Sequence, residues 1–410
     1  MPNRLIANSL LFIIFLKTIL MNEVCEINQN SCKITKYRYI FYDVNPPEGF
    51  NLRRDVYMRF AIFAHKLKNT ELSNFKLVLP PWTNLYHWKK KVSTQIPWSH
   101  FFDLKSLKRF SPVIEMYEFF DEVNYKFTKT KIDEVYVLQH FREMFQTGNF
   151  EDKMLIEDCI RKPKTNFYYY NNITSDNIKC LSFHGYASDL KKILKPSNAQ
   201  TILFDHAEVA LHDRFGDNIY WKARRSMRFS NELKRFAAVF RSKYLNSSDL
   251  ADGTILPDDW EAETGKRTAK GGPYLSVHLR RRDFAIGRTK DVPNIEEAAS
   301  QIIELLRKLN LNVVFIATDA TIKEYEQLER LLSDYKVHRF FGVESLTDGA
   351  VAIIDQIICS HAQYFVGTHE STFTFRIQEE REIMGFPEHT TFNRLCGDTC
   401  EKPSIWRIVY

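Results

Sequence analysis

The strongest constraint on the fold is a regular alternation in the last third of the chain, where short apolar segments precede longer amphipathic ones. Short apolar runs are typical of buried strands, and apolar residues spaced three and four apart are typical of helices. Strands that alternate with helices of this length form a parallel sheet through right-handed crossovers. The predicted strands are residues 274–279, 312–317, 337–341 and 363–366, and the predicted helices are residues 295–309, 321–333, 349–361 and a segment that begins at Ser371.

The N-terminal part of the chain opens with the same alternation: a predicted strand at residues 37–42, a helix at 52–67 and a strand at 75–79. Beyond residue 81 we expect irregular structure. That region is rich in aromatic rings near its start, at Trp82, Tyr86, Trp88, Trp98, Phe101 and Phe102.

The length of 410 residues exceeds the size of one ordinary hydrophobic core. A stretch rich in Asp, Gly and Ser at residues 246–272 is the expected boundary. The fold class is therefore α/β, with two Rossmann-like domains that face a cleft. We assign residues 22–250 to the N-terminal domain and residues 251–410 to the C-terminal domain.

The first residues have the features of a secretory signal. Arg4 precedes an apolar run at residues 10–21, and polar residues follow. We expect cleavage near residues 21–24, so that residues 1–21 are a signal peptide and no membrane span remains. An uncleaved anchor is the alternative, although about a dozen apolar residues are few for a span.

Seven cysteines favour an oxidising compartment. The candidate pairs are Cys159 with Cys180, Cys396 with Cys400, and Cys25 with Cys32, while Cys359 in an apolar run is predicted to be a buried free thiol. A zinc site is excluded because no two Cys-x-x-Cys elements occur. Asn172 and Asn246 begin glycosylation sequons.

The net charge of +6 suits a small anionic ligand. It argues against a nucleic-acid-binding protein, because such proteins carry lysines clustered along one face.

A block of charged residues follows the predicted strand 274–279, in the order Arg280, Arg281, Arg282 and Asp283. Ligands of open α/β sheets collect at the carboxyl ends of strands, and guanidinium groups bind phosphate oxygens bidentately. The block therefore indicates a phosphate site, with a solvated charge cluster as the alternative.

Two further loops leave predicted strands. Residues 45–51 read Asn-Pro-Pro-Glu-Gly-Phe-Asn and place Glu48 before a helix; residues 367–373 read Gly-Thr-His-Glu-Ser-Thr-Phe and place Ser371 at another helix start. Free N–H groups at a helix start bind anions. The alternatives are that Glu48 merely complements a helix dipole and that Ser371 is an ordinary cap.

In this order, the blocks resemble the family of protein O-fucosyltransferases that modify thrombospondin type 1 repeats, most densely at residues 46–55, 278–284 and 367–382. The resemblance implies a GT-B fold and a peptide O-fucosyltransferase of the endoplasmic reticulum lumen. Such an enzyme transfers fucose from GDP-fucose to Ser or Thr with inversion. No metal cofactor is expected, and no Asp-x-Asp triplet occurs in the chain.

The resemblance also implies roles for individual residues. Glu48 matches the catalytic base, and Arg280 matches the arginine that stabilises the GDP leaving group. Independently of the resemblance, a base must be ionised at neutral pH, and the nearby Arg53 and Arg54 are expected to help. Asp355 matches a guanine-binding carboxylate, and Glu380 a supporting glutamate. The other donor-binding positions are Pro47, Gly49, Phe50, Asn51, His278, Leu279, Ser371, Thr372 and Phe373. Arg281 and Arg282 are expected to brace their loop together with Asp283, and the pairs Cys159–Cys180 and Cys396–Cys400 fit the family's spacing.

Two other functions remain open. A fucosyltransferase that acts on EGF-like repeats or N-glycans would use the same donor, and only the loop at Glu48 and the aromatic residues 82–102 would distinguish it. A catalytically silent binding protein with the same fold is a second class, which intact Glu48 and Arg280 argue against.

Overall fold

The computed structural model describes residues 37–83, 85–90, 95–123, 130–168, 170–398, 400–401 and 403–410. The expected signal peptide at residues 1–21, Cys25 and Cys32 lie outside these residues. Within the described ranges, no helix has both the length and the apolar composition needed to cross a membrane.

The described part of the chain contains both strands and helices along its whole length. The strands are β1 Arg38–Tyr42, β2 Phe75–Leu79, β3 Val113–Glu115, β4 Thr130–Lys131, β5 Glu134–Gln139, β6 Lys153–Glu157, β7 Asn166–Phe167, β8 Tyr170–Thr174, β9 Ile178–His184, β10 Thr201–Asp205, β11 Gly272–Leu279, β12 Val313–Thr318, β13 Lys336–His338, β14 Ala362–Thr368 and β15 Arg394–Leu395. The helices are α1 Phe50–Leu67, α2 Leu104–Phe110, α3 Met116–Glu122, α4 Arg142–Thr147, α5 Lys191–Leu194, α6 Asn218–Ser226, α7 Asn231–Tyr244, α8 Asp249–Asp252, α9 Arg282–Gly287, α10 Ile295–Leu309, α11 Ile322–Leu331, α12 Asp348–Ser360 and α13 Thr372–Met384.

The N-terminal sheet has the strand order β3-β2-β1-β10-β5-β9-β6 within the described residues. Its strands are parallel except β6, which runs antiparallel to β9. The expectation of irregular structure beyond residue 81 was wrong, because β5, β9 and β10 are three of the seven strands of this sheet. Strands buried on both faces show no polar alternation, and hairpins and loops rather than long helices separate these three, so the strand–helix rhythm is missing there.

The C-terminal sheet is entirely parallel, with the order β13-β12-β11-β14-β15. The sequence predictions for this half are confirmed closely. Helix α10 has the predicted bounds, and β11, β12 and β14 differ from prediction by a few residues at most. The strand predicted to reach residue 341 ends at His338.

A buried ionic network, here called the ionic joint, connects the two halves. Arg224 of α6 binds Glu379 and Glu380 of α13, with Nε at 2.6 Å from Glu379 Oε2 and Nη2 at 2.7 Å from Glu380 Oε2. Arg376 lies 2.9 Å from Glu379 and 3.5 Å from Asp55 of α1. The side chain of Glu379 is completely buried. Glu380 therefore supports the structure, as predicted.

Among the cysteines that the structure describes, two disulfides join Cys159 to Cys180 and Cys396 to Cys400, and Cys359 is a buried free thiol. These are the pairings that the resemblance implied. Of the two sequon asparagines, Asn246 is exposed after α7 and Asn172 is half-buried in β8.

Candidate functional site

The loop that carries Glu48 connects β1 to α1, and Arg53 fixes its backbone. Arg53 Nε donates to the Glu48 carbonyl oxygen at 3.0 Å, and Nη2 donates to the carbonyl oxygens of Val44 and Asn45 at 3.1 and 2.9 Å. Gly49 is the N-cap of α1, and the first turn of that helix contains no acidic residue. The Glu48 carboxylate is thus the acidic group at this helix start.

The pKa of Glu48 is raised by burial first and by the negative charge of Glu208 second, while Arg53 opposes the rise. Glu208 is fixed in place because its Oε2 accepts the Asn45 N–H at 3.2 Å and its Oε1 lies 3.1 Å from His206 Nδ1. Arg53 and Arg54 were expected to keep Glu48 ionised. Only Arg53 acts in that direction, since Arg54 is turned into the interior with no exposed surface. A carboxylate with a raised pKa is a stronger base.

Arg280 lies where β11, β12 and β14 end side by side. Its N–H donates to Thr368 Oγ1 at 2.8 Å, and that hydroxyl donates to the His278 carbonyl oxygen at 3.0 Å. The guanidinium group binds Asp319 through Nη1 and Asp283 through Nη2, the latter at 2.6 Å. The two carboxylates hold the cation in position before any ligand arrives.

The neighbouring arginines brace the loop, as predicted. Arg281 Nε binds Glu324 at 3.0 Å, and Arg282 Nε donates to the Asp319 carbonyl oxygen at 3.0 Å. Asp283 was expected to help in this bracing, but its side chain pairs with Arg280 instead. Of the three arginines, Arg280 is therefore the one whose guanidinium group is held by two carboxylates.

The start of α13 has the features of an anion site. Ser371 occupies the N-cap position, yet its side chain makes no capping hydrogen bond, and the first turn contains no acidic residue. Ser371 is therefore not an ordinary serine cap, which was the alternative interpretation. Gly367 is required nearby, because a Cβ there would lie 2.6 Å from the Thr374 side chain. Thr372 is the exposed first residue of the helix.

His278 and Phe373 pack together behind this helix start. Their rings stack at 4.3 Å, and His278 Nδ1 lies 2.8 Å from Thr374 Oγ1. Burial and the charge of Arg280 lower the pKa of His278 to about 3, so the imidazole is neutral. The Leu279 side chain is fully buried in the core, so any contact with a donor would come from its backbone.

Asp355 on α12 is a half-buried residue whose carboxyl group has one buried oxygen. Its Oδ1 has no hydrogen-bond partner among the described residues. Burial raises the pKa of Asp355 to about 8, and the charge of Arg339 only partly opposes this. The group is therefore protonated at neutral pH in the ligand-free protein, and donors that satisfied it would favour the carboxylate.

His87, which the sequence did not single out, lies between the Glu48 loop and Arg280. A Cβ on Gly49 would lie 3.1 Å from His87 Cδ2. Burial and then the charge of Arg280 lower the pKa of His87. The first and second sequence blocks therefore face the same cleft from opposite halves.

Most of the aromatic residues between 82 and 102 are core rather than surface. Trp82, Trp98, Phe101 and Phe102 are buried, whereas Tyr86 is 72% exposed. Of the region expected to distinguish acceptors, the short stretch around Tyr86 is the part whose aromatic side chain is exposed. A pocket lies next to it at the carboxyl ends of β1 and β2, lined in part by Asp43, Arg53, Pro81, Thr83 and Tyr168.

Known proteins match this chain over nearly all of its length. Residues 39–384 match the family model for GDP-fucose protein O-fucosyltransferase. The chain is 45% identical over 407 residues to GDP-fucose protein O-fucosyltransferase 2 of Caenorhabditis elegans, with 94% of each chain covered. It is 45% identical over 397 residues to the Homo sapiens protein of the same name, covering 92% of this chain and 91% of the human one.

Among solved structures, the fold is similar to that of POFUT1 in complex with GDP-fucose, with a TM-score of 0.55. The match covers 89% of this chain and 98% of the other at 17% sequence identity, so it bears on the fold alone. It confirms the predicted GT-B class.

Proposed function

The chain belongs to the GDP-fucose protein O-fucosyltransferase family, and we propose that it transfers fucose to Ser or Thr hydroxyls of folded thrombospondin type 1 repeats. Family membership makes it a glycosyltransferase with GDP-fucose as donor. Our proposal adds four things to family membership: the acceptor, the inversion of configuration, the independence from metal ions, and the roles of individual residues. The acceptor assignment is supported by the resemblance of residues 46–51 to the enzymes that modify these repeats.

The reaction needs a base on one side of the sugar and a charge acceptor on the other. We assign the first role to Glu48, which takes the proton as the acceptor oxygen attacks C1 of fucose. The bond from C1 to the β-phosphate oxygen breaks on the opposite face, so the configuration at C1 inverts. The observation that carries this assignment is the position of His87, which contacts the Glu48 loop at Gly49 and is close enough to Arg280 for that charge to lower its pKa. Glu48 and Arg280 are therefore near the same histidine from different halves of the molecule.

The departing diphosphate is stabilised by Arg280 and by the N–H groups at the start of α13. Preorganised donors of this kind lower the barrier without rearranging during the reaction. Asp319 and Asp283 hold the guanidinium group, and Ser371 leaves its hydroxyl free of any capping bond. These groups supply the positive potential that a divalent ion supplies in other transferases, so we propose that no metal is required.

The remaining donor and compartment assignments follow from the same arrangement. We assign to Asp355 the role of accepting N–H groups of guanine, and to His278 with Phe373 the role of supporting the helix start that would bind phosphate; the unpartnered Asp355 carboxyl oxygen and the stacked rings support this. The disulfides at Cys159–Cys180 and Cys396–Cys400 suit the endoplasmic reticulum lumen, where we place the protein.

The acceptor proposal is tested by offering the enzyme GDP-fucose with three acceptors: a folded thrombospondin type 1 repeat, the same repeat after reduction, and a folded EGF-like repeat. We expect fucose on the folded thrombospondin repeat and little on the other two, measured by intact mass. Preferential fucosylation of the EGF-like repeat would overturn the acceptor assignment while leaving the donor assignment intact.

GDP affinity is expected to increase with pH between pH 6 and 8. In the free protein Asp355 is protonated below its raised pKa of about 8. Guanine N–H donors favour the carboxylate, so binding lowers that pKa and releases a proton. Affinity is then weakest at low pH and levels off above the free-state pKa. Calorimetry in two buffers of different ionisation enthalpy at pH 7 measures the released proton.

The control for this linkage is Asp355→Asn, which cannot ionise. It should bind GDP more weakly and without the proton release. Equal proton release in Asp355→Asn and the parent protein would assign the titration to another group.

A further inference from the structure

We propose that Gln356 is a positioning residue for the donor, because together with Arg54 it fixes the Asn51 side chain so that its amide N–H₂ group is presented to the diphosphate-sugar. This inference rests on the proposed function, and it adds a specific polarity to the cleft. The three side chains come from different halves of the molecule: Asn51 and Arg54 lie on α1, and Gln356 lies on α12.

Arg54 determines the orientation of both amides. Its guanidinium group has only donors, so any hydrogen-bonding atom that faces it must be an acceptor. Arg54 Nη1 lies 2.7 Å from Gln356 Oε1 and 3.2 Å from Asn51 Oδ1. The side chain is completely buried, so water cannot substitute for either oxygen.

Gln356 then completes the arrangement. Because its Oε1 faces Arg54, its Nε2 group points the other way, and it donates to Asn51 Oδ1 at 2.9 Å. Asn51 Oδ1 thus accepts from two donors. The Asn51 N–H₂ group donates to no described residue and is not among the buried unpartnered atoms, so it remains available to a ligand.

The position of Asn51 gives this polarity a use. Asn51 lies three residues after Glu48 in the first turn of α1, and Gln356 directly follows Asp355. An amide N–H₂ group donates to phosphate or sugar oxygens, whereas a carbonyl oxygen at the same place would repel a diphosphate. The Gln356–Asn51 hydrogen bond therefore connects the neighbour of Asp355, the proposed guanine-binding residue, to the helix start that follows Glu48, the proposed base.

This arrangement lowers the stability of the folded protein, which argues against a purely space-filling role for the three side chains. Arg54 Nε and Nη2 are buried without hydrogen-bond partners, and burial together with the charges of Arg224 and Arg376 lowers the Arg54 pKa. The rings of Phe102 and Phe229, at 5.3 and 5.4 Å from the guanidinium carbon, stabilise the cation in part. A contact needed only to join the two halves could be apolar at lower cost.

The test is a double-mutant cycle on GDP affinity with Gln356→Glu and Asn51→Asp, measured by calorimetry. Gln356→Glu keeps the shape and the bond to Arg54 but cannot donate to Asn51. We expect it to weaken GDP binding about tenfold, as for loss of one hydrogen bond to a charged group, with an unchanged or higher melting temperature. In the Asn51→Asp background, the same substitution should weaken binding by less than about twofold, because the amide it would misorient is already absent.

The matched control is Asp348→Asn. Asp348 accepts N–H groups of Lys89 and Lys90, so it also joins the two halves of the protein. Its substitution should leave GDP affinity unchanged. Multiplicative effects in the cycle, or normal affinity in Gln356→Glu, would overturn the positioning role. Neither result depends on the acceptor, whereas absence of fucose transfer by the parent protein would count against the proposed function alone.

Discussion

Arg280→Ala is expected to lower kcat/KM for fucose transfer by about 10²–10³-fold or more, because it removes the main charge opposite the departing diphosphate. The loss should exceed that of a simple contact. Without the guanidinium group, Asp283 and Asp319 face the site unpaired and repel the phosphates. GDP affinity should therefore fall together with kcat. Steady-state kinetics with GDP-fucose and calorimetry with GDP measure the two quantities.

Two further variants define the contribution of Arg280. Arg280→Lys keeps the charge but loses the planar fork, so its kcat/KM should lie between the parent and Arg280→Ala. Arg307→Ala alters an exposed arginine on α10 and should behave as the parent does. Normal GDP affinity in Arg280→Ala would exclude the phosphate role.

Glu48→Gln is expected to lower kcat by about 10²–10⁴-fold, since the amide cannot accept the acceptor's proton. GDP affinity should stay within about twofold of the parent value, because the proposed base does not contact the nucleotide. The same two measurements separate these quantities. A parallel loss of GDP affinity would make Glu48 a structural residue.

The pH profile of kcat/KM gives a second check on Glu48. A base must be ionised, so activity is lost as pH falls through its raised pKa. Because Glu208 contributes to that rise, Glu208→Gln should move the acidic limb to lower pH. The amide oxygen of glutamine can still accept the Asn45 N–H, which preserves the loop.

The sequence predicted the C-terminal half well because its signals are local. Each strand there is followed by a helix with its own start signal, as at Asn294 and Thr321, whose side chains cap α10 and α11. In the N-terminal half, β5, β9 and β10 are short buried strands recognised only by their neighbours in the sheet. No local pattern distinguishes such strands from other apolar segments.

In the candidate site, too, local features could be predicted from the sequence and contacts between distant segments could not. The blocks at Glu48, Arg280 and Ser371 follow predicted strands, so their position at the carboxyl ends of strands could be inferred from the sequence. Contacts between distant segments could not. Gln356 meets Asn51 across 305 positions, and Glu208 approaches the Glu48 loop from the turn after β10. The sequence also did not reveal which aromatic residues are buried. Those near Trp82 have the composition of a recognition surface, yet they form core.

The ionic joint has a thermodynamic consequence for the whole molecule. Arg224, Arg376 and Glu379 are shielded from water only while both halves are packed together. Opening that interface would break the Arg224–Glu379 and Arg224–Glu380 pairs and would expose the apolar core that the two halves share. Neither half therefore has an independent melting equilibrium. Although the two sheets are separate in the chain, they should unfold as one cooperative unit, and a defect in either half destabilises the other.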